Sequence, residues 1–332
     1  MRVLLLLATI FFSCSSSDNR ILVKNFGEAQ GSYFHIQYLS QNGENYHRDL
    51  DSIFLKIDSS LSIYKPYSTI SMLNNGQKTK TDSLFNNVFM LARKISKETD
   101  GNFDCSVYPL VKAWGFYENN LSSNLVIDSV FFLSILKNIG FNRISLINDS
   151  LILPDGMSID FNSIAQGYTV DLISQFLDSK GDSNYLVEVG GELRAKGRNA
   201  DGEIWRVGID KPYEEINVDD RFHFILDLED KSLATSGNYR KFYYKDGVKY
   251  SHTINPFTGF PAHNRLLSVT VIHDRCVFAD AYATAFMVMG VKKTKNFIKD
   301  LDDSLEVYLI FTDKDGKLKT YISRSMKARI IN

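Results

Sequence analysis

The sequence predicts an α+β protein built on antiparallel sheet, and three observations predict it. Amphipathic helical runs crowd the first half of the chain, and short strands crowd the second. The two kinds of element do not alternate in the regular way that a doubly wound parallel sheet requires. A helix-rich first half and a strand-rich second half are expected to pack as one catalytic body, with two subdomains around a cleft.

Taken in order, "GSYFHIQYL" (31–39) alternates and is aromatic enough for a strand. Residues 48–63 place Leu50, Ile53, Phe54, Ile57 and Leu61 on one helical face. "SLFNNVFMLARKISKET" (83–99) does the same with Leu84, Val88, Leu91 and Ile95, and "DGNF" ends it. "DSVFFLSILKNIG" (128–140) reads as a third helix, with Asp128 at its N-cap and Gly140 at its C-terminal end. From 143 the strands "RISLI", "YLVEV", "IWRVGID", "FHFILDL", "LSVTVI" and "LEVYLIF" follow, with helices expected near 164–180, 278–289 and 291–301. "VEVGGELRAKG" (187–197) carries adjacent glycines after a strand, "SIAQGYTVD" (163–171) places Gly167 early in a helix, and "ATSGNYR" (234–240) and "INPFTGFP" (254–261) read as tight polar turns.

Composition excludes several function classes. Lys+Arg at 38 against Asp+Glu at 39 leaves no basic field for a polyanion, so no nucleic-acid partner is expected. None of the glycine pairs fits GxGxxG or a P-loop in its strand–helix context, so the common nucleotide folds are not supported. Three cysteines without CxxC spacing give neither a disulfide framework nor a zinc site. "MRVLLLLATIFFSC" has one positive charge and an apolar run from Val3 to Phe12, too short to span a bilayer. Its end resembles a bacterial lipobox. A signal peptide over 1–13, lipidation of Cys14, a tether over 14–24 and a folded domain over 25–332 are the expected organisation, with a plain secretory signal as the alternative. The protein is then exported and held to a bacterial membrane by its lipid, facing the periplasm or the cell exterior.

One stretch stands out chemically. "VFADAYATAFMVMG" (277–290) is apolar enough for a buried helix, yet it carries Asp280, with Thr284 one turn later on the same face. A buried carboxylate needs a positive partner. Two readings are open here. Asp280 caps a helix or pairs with an arginine while Thr284 bonds a carbonyl of the preceding turn, or the two supply oxygen ligands to a hard cation such as Mg²⁺.

The blocks "GEAQGSYFHIQY", "LSIYKPYSTISMLN", "DGNFDCSVYPLVKAWGF", "SIDFNSIAQGYTVD", "YLVEVGGELRAKGRN", "WRVGIDKP", "LATSGNYRKFY", "YSHTINPFTGFPA" and "SVTVIHDRCVFADAYATAFMVMG" resemble, in order, those of ApbE-type flavin transferases. The resemblance runs from about residue 25 almost to the end. It implies an enzyme that binds FAD, uses Mg²⁺ to cleave its pyrophosphate, and transfers FMN to a threonine or serine hydroxyl of an exported acceptor protein, such as a subunit of a membrane redox complex, releasing AMP. It also implies that Asp280 and Thr284 hold the metal, with the backbone carbonyl of Ser163 as a third ligand. Tyr64, the "GNFD" residues Asn102, Phe103 and Asp104, and Asp160 match FAD contacts, and Ser236 and Gly237 are expected to line the same cleft. His252 is implied to touch phosphate or to take the acceptor proton, beside Asp280 in the catalytic set. The chain departs from the family pattern at Gln30, where many members have methionine, at Gln166 in place of the lysine of "IAKG", and at Asn255 in place of the aspartate of "DP". Gln166 removes a positive charge near the nucleotide. Two other functions fit the same residues: an FAD pyrophosphatase with water as acceptor, and a non-catalytic FAD-binding lipoprotein.

Overall fold

The computed structural model describes residues 20–117, 128–212, 221–239, 242–245, 247–299, 301 and 305–331. The expected signal peptide and Cys14 lie outside the described residues. The chain runs β1 (Ile21–Ala29), β2 (Ser32–Ser40), α1 (His47–Leu61), α2 (Thr69–Asn74), α3 (Ser83–Glu98), α4 (Tyr108–Ala113) and α5 (Ser129–Leu136). It continues through β3 (Ser145–Ile147), β4 (Ser150–Ile152), α6 (Ala165–Ser179), β5 (Tyr185–Val189), β6 (Glu192–Lys196), β7 (Arg206–Asp210) and β8 (Phe222–Asp227). The rest is β9 (Ser232–Gly237), β10 (Phe242–Lys245), β11 (Val248–Ser251), β12 (Leu266–His273), α7 (Cys276–Lys299), β13 (Glu306–Thr312), β14 (Leu318–Ile322), α8 (Arg324–Lys327) and β15 (Ile330–Ile331).

The frame is an eight-stranded sheet in the order β1-β2-β5-β6-β9-β12-β13-β14, antiparallel at every pairing. Alternation along its strands divides the core in two. On β13, Val307 and Leu309 join the cluster that includes Ile57, Phe85, Phe103, Phe161 and Phe286. Tyr308 and Ile310 instead join Trp205, Val207, Leu226 and Met326, on the side covered by the three-stranded sheet β15-β8-β7. The period of 2 in the side-chain direction is what lets one strand serve both cores. Because the first cluster draws on both halves of the sequence, the helix-rich and strand-rich halves form one body.

Two hairpins bring the sheet to the site. β1 and β2 are joined by Gln30 and Gly31, both left-handed with φ 53° and 70°, a two-residue turn of the type that matches strand twist. β5 and β6 are joined by Gly190 and Gly191, with φ 68° and 105°. The strand β1 begins at Ile21, so 21–24 of the stretch expected as a tether lie in the sheet. Residues 21–24 already pair with 37–40.

Helices α6 and α7 pack under the sheet and cap one another. Ile164 at the start of α6 offers no capping side chain, and the N–H of Gly167 in the first turn goes instead to Asp280 on α7. In return Asp171 on α6 accepts from the N–H groups of Cys276 and Val277 at the start of α7, at 2.8 and 3.3 Å. Each carboxylate meets the positive end of the other helix. The break expected between the two helical runs near 290 falls at Gly290, φ 71°, inside α7. There Asn264 Nδ2 donates to the Met287 carbonyl at 2.8 Å, satisfying one of the orphan groups left by the break. Asp128 caps α5 as expected, donating no proton and accepting from the Val130 N–H at 2.9 Å.

Two expectations differ from what is observed. "ATSG" is not a turn: Ala234–Gly237 lie in β9, hydrogen-bonded to β12 in the middle of the sheet. The strands β1, β4, β6, β10, β11, β14 and β15 add to those read from the sequence.

Candidate functional site

The first turn of α6 is the hub. Along α7, every residue from Cys276 to Val288 is buried except Thr284, which is partly exposed. Asp280 lies one turn before it, 6% exposed, with Oδ2 accepting from the Gly167 N–H at 3.0 Å. Thr284 Oγ1 and Ser236 Oγ of β9 are 3.3 Å apart. Asp280, Thr284, Ser236 and the α6 N-terminus thus meet where three elements converge.

Close packing makes this possible. A Cβ on Gly167 would stand 2.6 Å from the Cys276 carbonyl oxygen and 2.7 Å from Asp280 Cβ, so the two helices approach at a distance that only glycine allows. Gly237 has the same role beside Ser236, since a Cβ there would lie 2.4 Å from the Tyr239 ring.

The question of what meets Asp280 has a structural answer. Among the described residues no lysine, arginine or histidine forms an ion pair with it. The arginine nearest in sequence, Arg275, pairs with Asp171 at 3.4 Å. Burial pushes the Asp280 carboxyl up to about 7, and the single Gly167 hydrogen bond pulls the other way without compensating. A carboxylate so placed is unfinished by protein alone. Among the described residues no group of three or more His, Cys, Asp or Glu is placed to hold a metal ion, so a zinc-type cage is not built. One carboxylate with one accessible hydroxyl is instead the donor set of a hard cation that keeps water and phosphate oxygens as its other ligands. The residues present fit Mg²⁺.

The turn leading into α6 connects this pair to an aromatic wall. Ser163 lies in that turn, between Asp160 and Gly167 in sequence. Asp160 is 8% exposed, its Oδ1 accepting from the Asn162 N–H at 2.7 Å. Asn162 Nδ2 donates to Tyr64 Oη at 3.4 Å. Burial and then the Asp160 charge push the Tyr64 phenol up. Asn162 was not singled out from the sequence. Its position two residues after an aspartate, where a side-chain turn forms, was the available signal.

The hairpin tips close the other side. Gln30 Nε2 donates to Thr169 Oγ1 of α6 at 2.8 Å, while its Oε1 is buried without a partner among the described residues. The Gln166 amide lies against the β5–β6 turn, where a Cβ on Gly190 would collide with its Nε2 at 2.2 Å. His252 is partly buried directly after β11, next to the Thr253 carbonyl that accepts from the Ala262 N–H at 2.7 Å.

The side chains of the "GNFD" residues, expected to meet FAD, are held within the protein. Phe103 is 1% exposed and belongs to the main core, so its side chain is explained by packing. Asn102 Nδ2 donates to the Thr99 carbonyl at 2.7 Å, closing the turn after α3. Asp104 accepts from the Ser106 N–H at 2.7 Å, from Ser106 Oγ at 2.5 Å and from the Phe141 N–H at 3.0 Å. Both carboxylate oxygens are therefore committed to the protein. Asp104 also borders a cavity of about 600 Å³ lined by Arg93, Lys97, Gly140 and Phe257.

Comparison with known proteins was made against this geometry. The profile of the ApbE family matches residues 30–309. The chain belongs to the ApbE family. It is 32% identical to a Vibrio cholerae protein named FAD:protein FMN transferase, over 91% of this chain and 90% of that one. It is 33% identical to the Escherichia coli K12 protein of the same name, over 83% and 79%. The solved structure of flavin transferase ApbE from Vibrio cholerae superposes with a TM-score of 0.83 at 31% identity, covering 93% of this chain and 99% of that one. The ApbE protein of Thermotoga maritima superposes at 0.82 with 26% identity, covering 94% and 100%. The α+β expectation is thus borne out, and the antiparallel frame with α6 and α7 beneath it is the ApbE fold.

Proposed function

We propose that this ApbE protein is an FAD:protein FMN transferase that moves FMN from FAD to a threonine or serine hydroxyl of an acceptor protein and releases AMP. The observation that carries the reading is Asp280: a buried carboxylate with no cationic partner among the described residues, one helical turn from the partly exposed hydroxyl of Thr284.

In this reading Asp280, Thr284 and the Ser163 carbonyl hold Mg²⁺, and Ser236 orients the Thr284 hydroxyl through their 3.3 Å contact. Bound there, the cation would stabilise negative charge on the pyrophosphate oxygens. The chain's own residues do the rest. Tyr64 offers a flat face to a ring of FAD, and Asp160 holds the turn that carries Asn162 and Ser163. The first turn of α6 already holds one carboxylate, that of Asp280, at its positive end. His252 accepts the proton of the acceptor hydroxyl as its oxygen bonds to the phosphorus on the FMN side. The bond from that phosphorus to the bridging oxygen breaks, AMP leaves with the bridging oxygen, and the proton passes from His252 to solvent or to the leaving phosphate. Gln30, at the β1–β2 turn, and Gln166, on α6 against the β5–β6 turn, border this space.

Export and lipid anchoring through Cys14 belong to the same reading, since they would place the enzyme in the compartment of an exported redox acceptor. The experiment is intact-mass spectrometry of a threonine-bearing exported redox subunit after incubation with the protein, FAD and Mg²⁺. A mass gain of one FMN with AMP in solution supports transfer. Free FMN and AMP with an unmodified acceptor would make the protein a pyrophosphatase, and intact FAD would make it a binder.

A further inference from the structure

Tyr64 does not stand alone. It lies in the loop after α1 and is 53% exposed, with its ring packed parallel to Tyr117 at 5.2 Å between centroids and 4° between planes. Tyr117 is itself fixed twice. Its hydroxyl donates to the Ile63 carbonyl, the neighbour of Tyr64, at 2.9 Å, and Tyr108 meets its ring edge-on at 5.6 Å and 75°. The Tyr64 hydroxyl is held from the α6 side by Asn162. Among the described residues Tyr117 is the one aromatic ring stacked on Tyr64, and Tyr64 stays 53% exposed with that ring in place.

An exposed tyrosine loses side-chain entropy when a ligand fixes it. A ring already backed by a second ring has lost that freedom before the ligand arrives, and preorganisation of this kind raises affinity. Parallel aromatic rings at this spacing also attract one another beyond their buried area. We propose that Tyr117 is a positioning residue for the dinucleotide, holding Tyr64 so that its exposed ring is presented to one flat ring of FAD. This rests on the FAD reading above and adds to it a residue that makes the platform rigid without being the surface the ligand touches.

The test is an FAD titration of the full chain and its variants, followed by equilibrium dialysis. Tyr117→Phe keeps the ring and removes only the hydroxyl, which bonds Ile63 and meets Tyr108, and is expected to bind within about twofold of the unaltered protein. Tyr117→Leu removes the backing ring and is expected to bind about three- to tenfold more weakly. Because Tyr117 acts through Tyr64, the pair Tyr64→Leu/Tyr117→Leu should bind no more weakly than Tyr64→Leu alone. Unchanged affinity in Tyr117→Leu, equal losses in the Phe and Leu variants, or additive losses in the pair would each overturn the proposal. An unaltered protein that does not bind FAD would overturn the FAD reading and this proposal together.

Discussion

Gly167 and Asp280 touch across the α6–α7 contact: the glycine N–H donates to Oδ2 at 3.0 Å, and a Cβ on Gly167 would lie 2.7 Å from Asp280 Cβ. The contact places a buried carboxylate at the positive end of a helix and at the edge of a space that Thr284 reaches. Gly167→Ala must therefore push the helices apart. We expect it to lower stability by about 1–3 kcal/mol and to weaken Mg²⁺ binding, as read by thermal unfolding and by calorimetric titration.

Asp280 also makes stability depend on pH in a definite direction. Its carboxyl is raised from 3.8 to about 7 by burial, so the folded chain favours the neutral acid. With metal chelated, that preference is fully stabilising below pH 4 and is lost as pH rises through 7. The loss is at most on the order of 4 kcal/mol. Asp280→Asn removes it while keeping an acceptor for the Gly167 N–H. Melting curves in EDTA should show the variant gaining on the unaltered protein between pH 4 and 8. Added Mg²⁺ should then stabilise only the unaltered protein. A variant less stable at pH 8 than the unaltered protein in EDTA would contradict this account of the carboxylate.

Thr284 contributes an oxygen rather than bulk. Thr284→Val keeps the shape and removes the hydroxyl that contacts Ser236. Mg²⁺ affinity should fall at least tenfold, while stability changes by no more than about 1.5 kcal/mol, the net worth of one hydrogen bond. Equal Mg²⁺ affinity in the two proteins would remove Thr284 from the ligand set.

His252 is assigned to proton transfer, so its loss should separate chemistry from binding. His252→Asn is expected to slow FMN transfer by about 10²–10⁴-fold and to leave FAD affinity within a few fold. A variant that loses affinity and rate together would make His252 a binding residue.

Much of this was legible in the chain. The strand "YLVEV" falls at Tyr185–Val189 as read, and Gly290 divides the last long helical run, because both signals are local: a short β-forming apolar run in one case and a glycine between two helical runs in the other. What the sequence hid was made by neighbours. "SLATSG" has the small and polar residues of a turn, and it becomes a strand only because β6 and β12 supply partners on both sides. The start of β1 at Ile21 was obscured by the polar residues before it, and its pairing with β2 decides it. At the site, the Asp280–Thr284 spacing could be read directly, whereas the partners Gly167 and Ser236 lie 113 and 48 residues away along the chain. The hydrogen bond of Asp104 to the Phe141 N–H and the packing of Phe103 in the main core are likewise long-range and invisible in their motif. Tyr117 has no signal of its own until folding lays it on Tyr64.

The most direct measurement is chromatographic quantification of AMP formed from FAD by the unaltered protein and by Asp280→Asn, each with the acceptor and either Mg²⁺ or EDTA. Release of AMP only by the unaltered protein with Mg²⁺, matched by FMN on the acceptor, is the predicted result. AMP formed equally well in EDTA, or by the asparagine variant, would contradict the assignment of Asp280 to the metal.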